Sequence, residues 1–458
     1  MFNIKDYYSL REKIVDENLN LVGVVLNGKE KIADEILSEL KIEFNNLCGG
    51  NIPYDIPTIG DNRITDSRLY EFCKRLPKGS DLHVHGTALL PCEKLIDFIV
   101  DEDRLLINVD TYVLTYEKGE RNFPLKEAFD KGLIHRNNLI VRWTTLGFDE
   151  TKSAWNNFEN MFSYHTAIDE NYDVLRRYYV FAFKYYLSVN IEHVEIHVLL
   201  SKKQEETNKI INTIKDAYFE VRKDNPEFSV LIIGTSMKLF ETMEETESIL
   251  NCVLDAHENI RDDFDPDNVH DFVIGIDLVN EEDSSRPLKE YAPLLIEIKS
   301  KHPDFEYYLH CGESIDSNND NLIDAFLLKA ERVGHGTNLY RYPDLLKAYC
   351  DNEICLESCL ISNRALDYVK DLRLHPSAEY LKRGVTIALC SDDPVYFEKE
   401  TLVDDFFAAI VCWNLGIAEI KHLCINSIRY SGLDKKSKQT LLLDWNKKWN
   451  SFIDNMKG

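Results

Sequence analysis

The chain has little positive charge for its size. Its 458 residues carry 53 lysines and arginines against 79 aspartates and glutamates, a formal net charge of −26. Such a surface repels phosphate backbones, so no nucleic acid is expected as a partner, and neutral small molecules are mildly favoured. Long apolar runs are missing too. The longest uncharged stretch near the end, "FFAAIVCWNLGIA" from Phe406, falls short of the ~20 residues of a membrane span, and no membrane partner is expected. The eleven cysteines are scattered, with no CxxC pair and none between Cys92 and Cys252. The opening "MFNIKDYYSLREKIVDENLN" is charged throughout and has no apolar core of the secretory kind. Reduced thiols in a cytoplasmic protein are the expectation, and a disulfide framework is not.

What is present is a globular composition, 44% hydrophobic, in a chain long enough for a large core. Residues 1–74 carry helix-type spacing ("KEKIADEILSELKIEFNNL") and no obvious chemistry. They are read as a helical extension for packing or dimerisation, which would make the protein a homodimer. From residue 75 to 458, eight short apolar runs alternate with helix-patterned stretches: "DLHVHG", "IEHVEIHVLL", "SVLIIGTS", "FVIGIDLV", "EYYLHCGE", "RVGHGT", "EICLESC" and "TIALCSDDP". Strands alternating with helices predict parallel βα units, and eight of them suggest a (β/α)8 barrel of the α/β class. A doubly wound sheet gives the same periodicity. The polar residues favour the barrel, because they gather in or just beyond the strand-like runs, where barrel active sites lie. The long gap after the first run, about residues 100–150, predicts an inserted subdomain or lid.

The stretch "RLPKGSDLHVHGTALLP" places His83 and His85 two apart, so in a strand both face the same way. A catalytic zinc takes about three N or O ligands and keeps one position open for water. A lone histidine is usually structural, and a surface turn is one reading of "SDDP" taken alone. The set "HVH", "HCGE", "GHG" and "SDDP", each at the end of a strand-like run, would need four coincidences to be structural. A metal site is the expectation.

This set resembles the adenosine deaminase family of metal-dependent hydrolases. It resembles most closely the adenosine deaminase-related growth factor branch, through "LPKGSDLHVHG", "WNNFENMF", "FVIGIDLVNEED", "NLIDAFLLKAERVGHGT" and "ISNRALDYVKDLRLHPSAEYLKRGV". The resemblance implies one zinc per chain held by His83, His85, His310 and Asp392, with a purine nucleoside as substrate. By the same resemblance Glu313 would protonate N1, His335 would orient and help deprotonate the attacking water, and Asp393 would meet N7. Asn280 and Gly312 would lie against the purine, and Trp155 would stand at the pocket rim. Zinc-directed attack at C6 of adenine also occurs on an unrelated fold, so the reaction does not imply the architecture. Departures are visible. Gly86, Thr87 and Ala88 stand where the family usually offers an acidic residue to the sugar. Asn280 replaces a common glycine, and Leu360 follows Cys359 where proline is usual. An intracellular, microbial version of the branch is implied.

Several readings of the chemistry stay open at this point. They are a 5′-modified nucleoside, adenine, or AMP, for which Arg364, Lys370 and Arg373 are the candidate phosphate cations, and a barrel that binds without turnover. Glu195 and His197 are candidate pocket residues, His375 is read as a helix cap, and the acidic run of "NEED" as a solvated turn.

Overall fold

The computed structural model describes residues 7–11, 13, 23–50, 62–397 and 399–456. Eight strands follow one another in chain order round a single sheet: β1 (Gly79–His85), β2 (Ile191–Leu199), β3 (Ser229–Met237), β4 (Val273–Val279), β5 (Glu306–Cys311), β6 (Arg332–His335), β7 (Cys355–Ser358) and β8 (Ile387–Leu389). Neighbours pair in parallel. Closure runs through the residues after β8. The Asp392 N–H donates to the His83 carbonyl at 2.8 Å, and the His85 N–H donates to the Asp392 carbonyl at 3.1 Å. Strand order never reverses, as it would in a doubly wound sheet, so the fold is a (β/α)8 barrel. All eight apolar runs of the sequence are its strands. They read as near-continuous apolar runs because both faces of a parallel sheet are covered.

Helices form the outer ring, among them Tyr172–Ser188, Gln204–Arg222, Met243–Asn259, Leu288–Lys301, Pro343–Asp351 and Pro376–Arg383. Local sequence sets their ends. Thr242 and Glu245 form a reciprocal capping box at the start of Met243–Asn259. His375 accepts from the Ser377 N–H at 3.2 Å at the start of Pro376–Arg383.

Before the barrel, helix Gly28–Leu47 buries Ala33, Leu37, Leu40 and Phe44 along one stripe, against the chain's own last helices. Phe44 meets Phe407 edge-on at 5.1 Å. Glu30 accepts from Lys421 Nζ at 2.6 Å and Trp449 Nε1 at 2.8 Å. Most of residues 1–22, and residues 51–61, lie outside the described residues.

Between β1 and β2 the chain makes a long excursion. It holds a three-stranded antiparallel sheet (Leu106–Asn108, Leu114–Thr115, Asn122–Pro124) and helices Leu125–Asp130 and Arg136–Trp143. Trp143 is fully buried and donates from Nε1 to the Tyr112 carbonyl at 2.9 Å. The excursion then returns over the barrel mouth as helix Ala154–Met161 and the short turn Thr166–Ile168, where His165 stacks on Tyr396 at 5.7 Å.

Candidate active site

β1 delivers His83 and His85 to the mouth, β5 ends with His310 one residue from its tip, β6 ends on His335, and Asp392 and Asp393 follow β8. Three site residues adopt left-handed backbone: Asn280 (φ +94°), His335 (φ +65°) and Asp392 (φ +61°). Each such conformation costs ~1–3 kcal/mol in a non-glycine residue, and such strain concentrates at functional sites.

The three ligand-type imidazoles converge. Ring centroids of His83 and His310 lie 4.4 Å apart, and those of His85 lie 5.1 Å from each of them. Ligating atoms of His83, His85 and His310 all fall within 4.8 Å of one another. Asp392 Oδ1 is 3.2 Å from His85 Nε2 and 3.9 Å from His83 Nε2.

Carboxylates behind the rings set which nitrogen is free. Glu357 lies 2.7 Å from His83 Nδ1. Burial works against its charge, but Arg332 and His83 hold its carboxyl down to about 2. It is therefore a carboxylate that accepts from His83 Nδ1–H. The lone pair of His83 is left on Nε2, which is buried and without a hydrogen-bond partner. Asp277 does the same for His310 Nδ1 at 2.5 Å and for His197 Nδ1 at 2.9 Å, and those imidazoles keep it well below the usual carboxylate range. Burial pushes His310 down to about 3, so the ring is neutral and Nε2 keeps its lone pair. His85 moves the other way. Burial opposes its proton, yet Asp393 and Asp392 outweigh burial and hold the imidazole up to about 9. Cationic charge is favoured between His85 and Asp392, and an orphaned nitrogen faces the same point. Three neutral-capable imidazoles and one carboxylate suit zinc in type and number.

Glu313 sits beside this cluster. Burial, then Asp392 and Glu282, push its carboxyl well above the ordinary range, which favours the protonated acid. Asp393 is likewise pushed well up by burial beside the ionised Asp392, and its Oδ1 is buried without a partner. A relay fixes the tautomer of His335. His375 accepts at Nδ1 from Ser377, so its Nε2–H donates to Asn363 Oδ1 at 3.2 Å. Asn363 Nδ2 then donates to His335 Nδ1 at 3.1 Å and to Glu313 Oε1 at 3.2 Å. The His335 hydrogen is therefore on Nε2, and burial keeps the ring neutral.

A cavity of about 410 Å³ opens over these groups, within the ~300–1,000 Å³ of small-molecule sites. His85, His310, Glu313, His335, Asp392, Asp393, Asn280 and Trp155 line it, and His83 lies directly beneath. The Trp155 indole donates to Tyr368 Oη at 2.6 Å, and the Asn280 amide donates to Glu159 at 3.4 Å. Gly312 does not line the cavity. Its N–H donates to Glu282 at 3.0 Å, and its φ of +77° makes the tight turn between His310 and Glu313. A Cβ there would come within 2.8 Å of Leu322 and Asn338.

Other expectations divide. His197 lines the cavity, whereas Glu195 lies in the barrel interior, paired with Arg332 at 2.5 Å. Within "NEED", Glu282 is buried rather than solvated, and it accepts from Gly312, Glu313 and Asn321 to fix the turn that carries the acid. Arg364 and Arg373 pair with Asp367 and Asp371. Neither they nor Lys370 lines the cavity, and among the described residues no lysine or arginine does. Sequence reasoning assigned no role to Asp277, Glu357, Arg332 or Asn363. The signal was a lone charged or amide side chain inside an apolar run, which shows burial but no partner.

A family profile described as adenosine deaminase matches residues 142–448. Adenosine deaminase 2 of Dictyostelium discoideum is 28% identical, over 98% of this chain and 88% of that protein. Among solved structures, an N6-methyl-AMP deaminase from Arabidopsis thaliana superposes with a TM-score of 0.60 at 16% identity, covering 82% of this chain and 98% of its own. An amidohydrolase from Burkholderia ambifaria with bound Zn superposes with a TM-score of 0.60 at 15% identity, covering 89% and 100%. At those identities the two structures speak for the fold alone. No described helix is long and apolar enough to cross a membrane.

Proposed function

The chain belongs to the adenosine deaminase family of C–N hydrolases, and from that premise we propose that it is a zinc-dependent aminohydrolase converting adenosine, or a close 6-aminopurine nucleoside, to the inosine-type product and ammonia. The observation that carries this reading is the convergence of His83, His85, His310 and Asp392 at the cavity, with the buried carboxyls of Glu313 and Asp393 lining it beside them, both pushed by burial toward the protonated form. Two protonated acids are hydrogen-bond donors, and purine N1 and N7 are acceptors.

His83, His85, His310 and Asp392 would hold the zinc, which supplies Lewis-acid activation of a water at neutral pH. Glu313 donates its proton to N1 and makes C6 electrophilic. Asp393 donates to N7 and aligns the ring. Asp392, kept ionised by its imidazole neighbours, accepts the proton of the attacking water. With its hydrogen on Nε2, His335 takes the orienting part and donates to the oxygen that attacks. The amine leaves as ammonia with the proton from Asp392, and the proton of the new C6 hydroxyl restores the acid of Glu313 as the carbonyl forms. A cavity without lysine or arginine supports a neutral nucleoside over AMP, and its extension past the metal-facing wall supports a sugar-bearing substrate over adenine. One zinc per chain and a homodimer formed through the segment before residue 75 belong to the same proposal. The exposed Ile32 and Ile42 on the outer face of Gly28–Leu47 support the latter. Metal analysis and light scattering test these two parts.

The test of the reaction is ultraviolet-monitored deamination of adenosine by zinc-loaded protein. Conversion that vanishes in Glu313→Gln is the expected result. Stoichiometric zinc with no conversion of any aminopurine would overturn the reading.

A further inference from the structure

The cavity has a polar corner away from the metal cluster, built from two segments far apart in the chain. Thr87 and Asp169 meet there, and both line the cavity. Each is held from behind. The Tyr178 hydroxyl donates to the Thr87 carbonyl at 2.7 Å and accepts from the Leu89 N–H at 3.0 Å. Asp169 closes the turn Thr166–Ile168, its N–H donating to the Thr166 carbonyl at 3.0 Å, and the preceding Ala167 and Ile168 are buried. The Thr87 hydroxyl donates to Asp169 Oδ2 at 3.3 Å. A carboxylate has about four lone-pair sites, so this long bond leaves most of its capacity facing the cavity. The side chain is exposed where the cavity opens.

We infer that Asp169, seated against Thr87, receives a hydroxyl of the substrate's sugar and sets the preference for a neutral nucleoside over its monophosphate. The inference rests on the nucleoside-deamination reading above. A hydroxyl both donates and accepts, so it satisfies this carboxyl whether ionised or protonated. A phosphate only accepts, carries negative charge, and finds no lysine or arginine among the described residues of the cavity wall to offset Asp169. The neighbouring turn leaves room for the sugar, since a Cβ added at Gly86 would meet nothing within 4 Å.

The test uses the zinc-loaded full chain with adenosine, its 2′-, 3′- and 5′-deoxy analogues, and AMP. In the unsubstituted enzyme, loss of the hydroxyl that meets Asp169 should lower kcat/KM by roughly ten- to hundredfold, the scale of a hydrogen bond to a charged group. In Asp169→Ala that penalty should collapse toward onefold, with the penalties for the other hydroxyls unmoved and KM for adenosine raised. Asp169→Asn, which keeps the shape of the side chain, should raise the AMP-to-adenosine ratio of kcat/KM about tenfold. Identical deoxy penalties in enzyme and variant, or an unchanged ratio in Asp169→Asn, would overturn the role of Asp169 while the nucleoside reading stands. An unsubstituted enzyme that leaves adenosine untouched would overturn the nucleoside reading and this inference with it.

Discussion

The two walls of the cavity are built in different ways. The metal-facing wall stands on strand ends: His83 and His85 on β1, His310 on β5, His335 on β6 and Asp392 after β8. Three of its four rings are braced from behind by a buried partner, Glu357 for His83, Asp277 for His310 and Asn363 for His335. The opposite wall stands on the excursion after β1. Trp155 is held there by one bond of 2.6 Å and Glu159 and Asp169 by long bonds of 3.4 and 3.3 Å, and each of the three is partly open to solvent or the cavity. In the proposed reaction, a rigid barrel rim would carry the groups that chemistry needs to within fractions of an ångström, while a loop-borne wall would carry those that select the substrate.

If that contrast holds, damage to the strand wall should reach kcat and metal binding, and damage to the loop wall should reach KM. The largest effect is expected for Glu313→Gln, which keeps the shape but removes the proton. We expect kcat to fall by about 10²–10⁴-fold with KM little changed. Because Glu313 acts as the protonated form and its folded pKa is raised, kcat/KM should decline as pH rises through that pKa, and the residual rate of Glu313→Gln should lack this alkaline limb. Next is Asp277→Asn, which leaves His310 and His197 without their ionised partner. Zinc affinity, read by competition with a chelator, should weaken about 10–100-fold. An unchanged affinity would show that the brace behind the ring does not matter and would break the contrast.

On the loop wall, Trp155→Phe removes the bond to Tyr368 while keeping an aromatic face. KM should rise several-fold, with kcat within about twofold, since a neutral hydrogen bond contributes ~0.5–1.5 kcal/mol. A larger loss in kcat than in KM would place Trp155 with the strand wall. The smallest effect on catalysis is expected for Glu30→Ala, at the seam between the N-terminal helix and the barrel. It strands Lys421 and Trp449, so the melting temperature should drop while kcat/KM stays within experimental error.

The contrast also explains how much was legible before the structure. "HVH", "HCGE", "GHG" and "SDDP" stood out because a strand end has a fixed periodicity and its side chains must go inward or outward. The loop wall has no such period. Asp169 lies in "HTAIDENY", an ordinary polar turn by composition, and nothing local says that it faces Thr87 across the cavity. Glu282 was read as solvated for the same reason, because "NEED" has the composition of a surface turn and only the fold buries one of its acids. Gly312 was expected against the purine, and instead its backbone N–H is turned back to the Glu282 carboxylate, a contact between the segments that follow two neighbouring strands.

By itself the sequence determined the barrel and the metal-and-acid set, because alternating apolar runs and strand-end histidines are local patterns that bury themselves in one way. The tertiary structure alone decided the protonation of the site. Arg332, from β6, pairs with Glu357 on the neighbouring β7 and reaches across the barrel to Glu195 on β2, and Glu357 in turn orients His83. Burial and charge at such long-range contacts set which carboxyl keeps its proton and which nitrogen keeps its lone pair, and no spacing along a chain encodes the distance across a closed barrel.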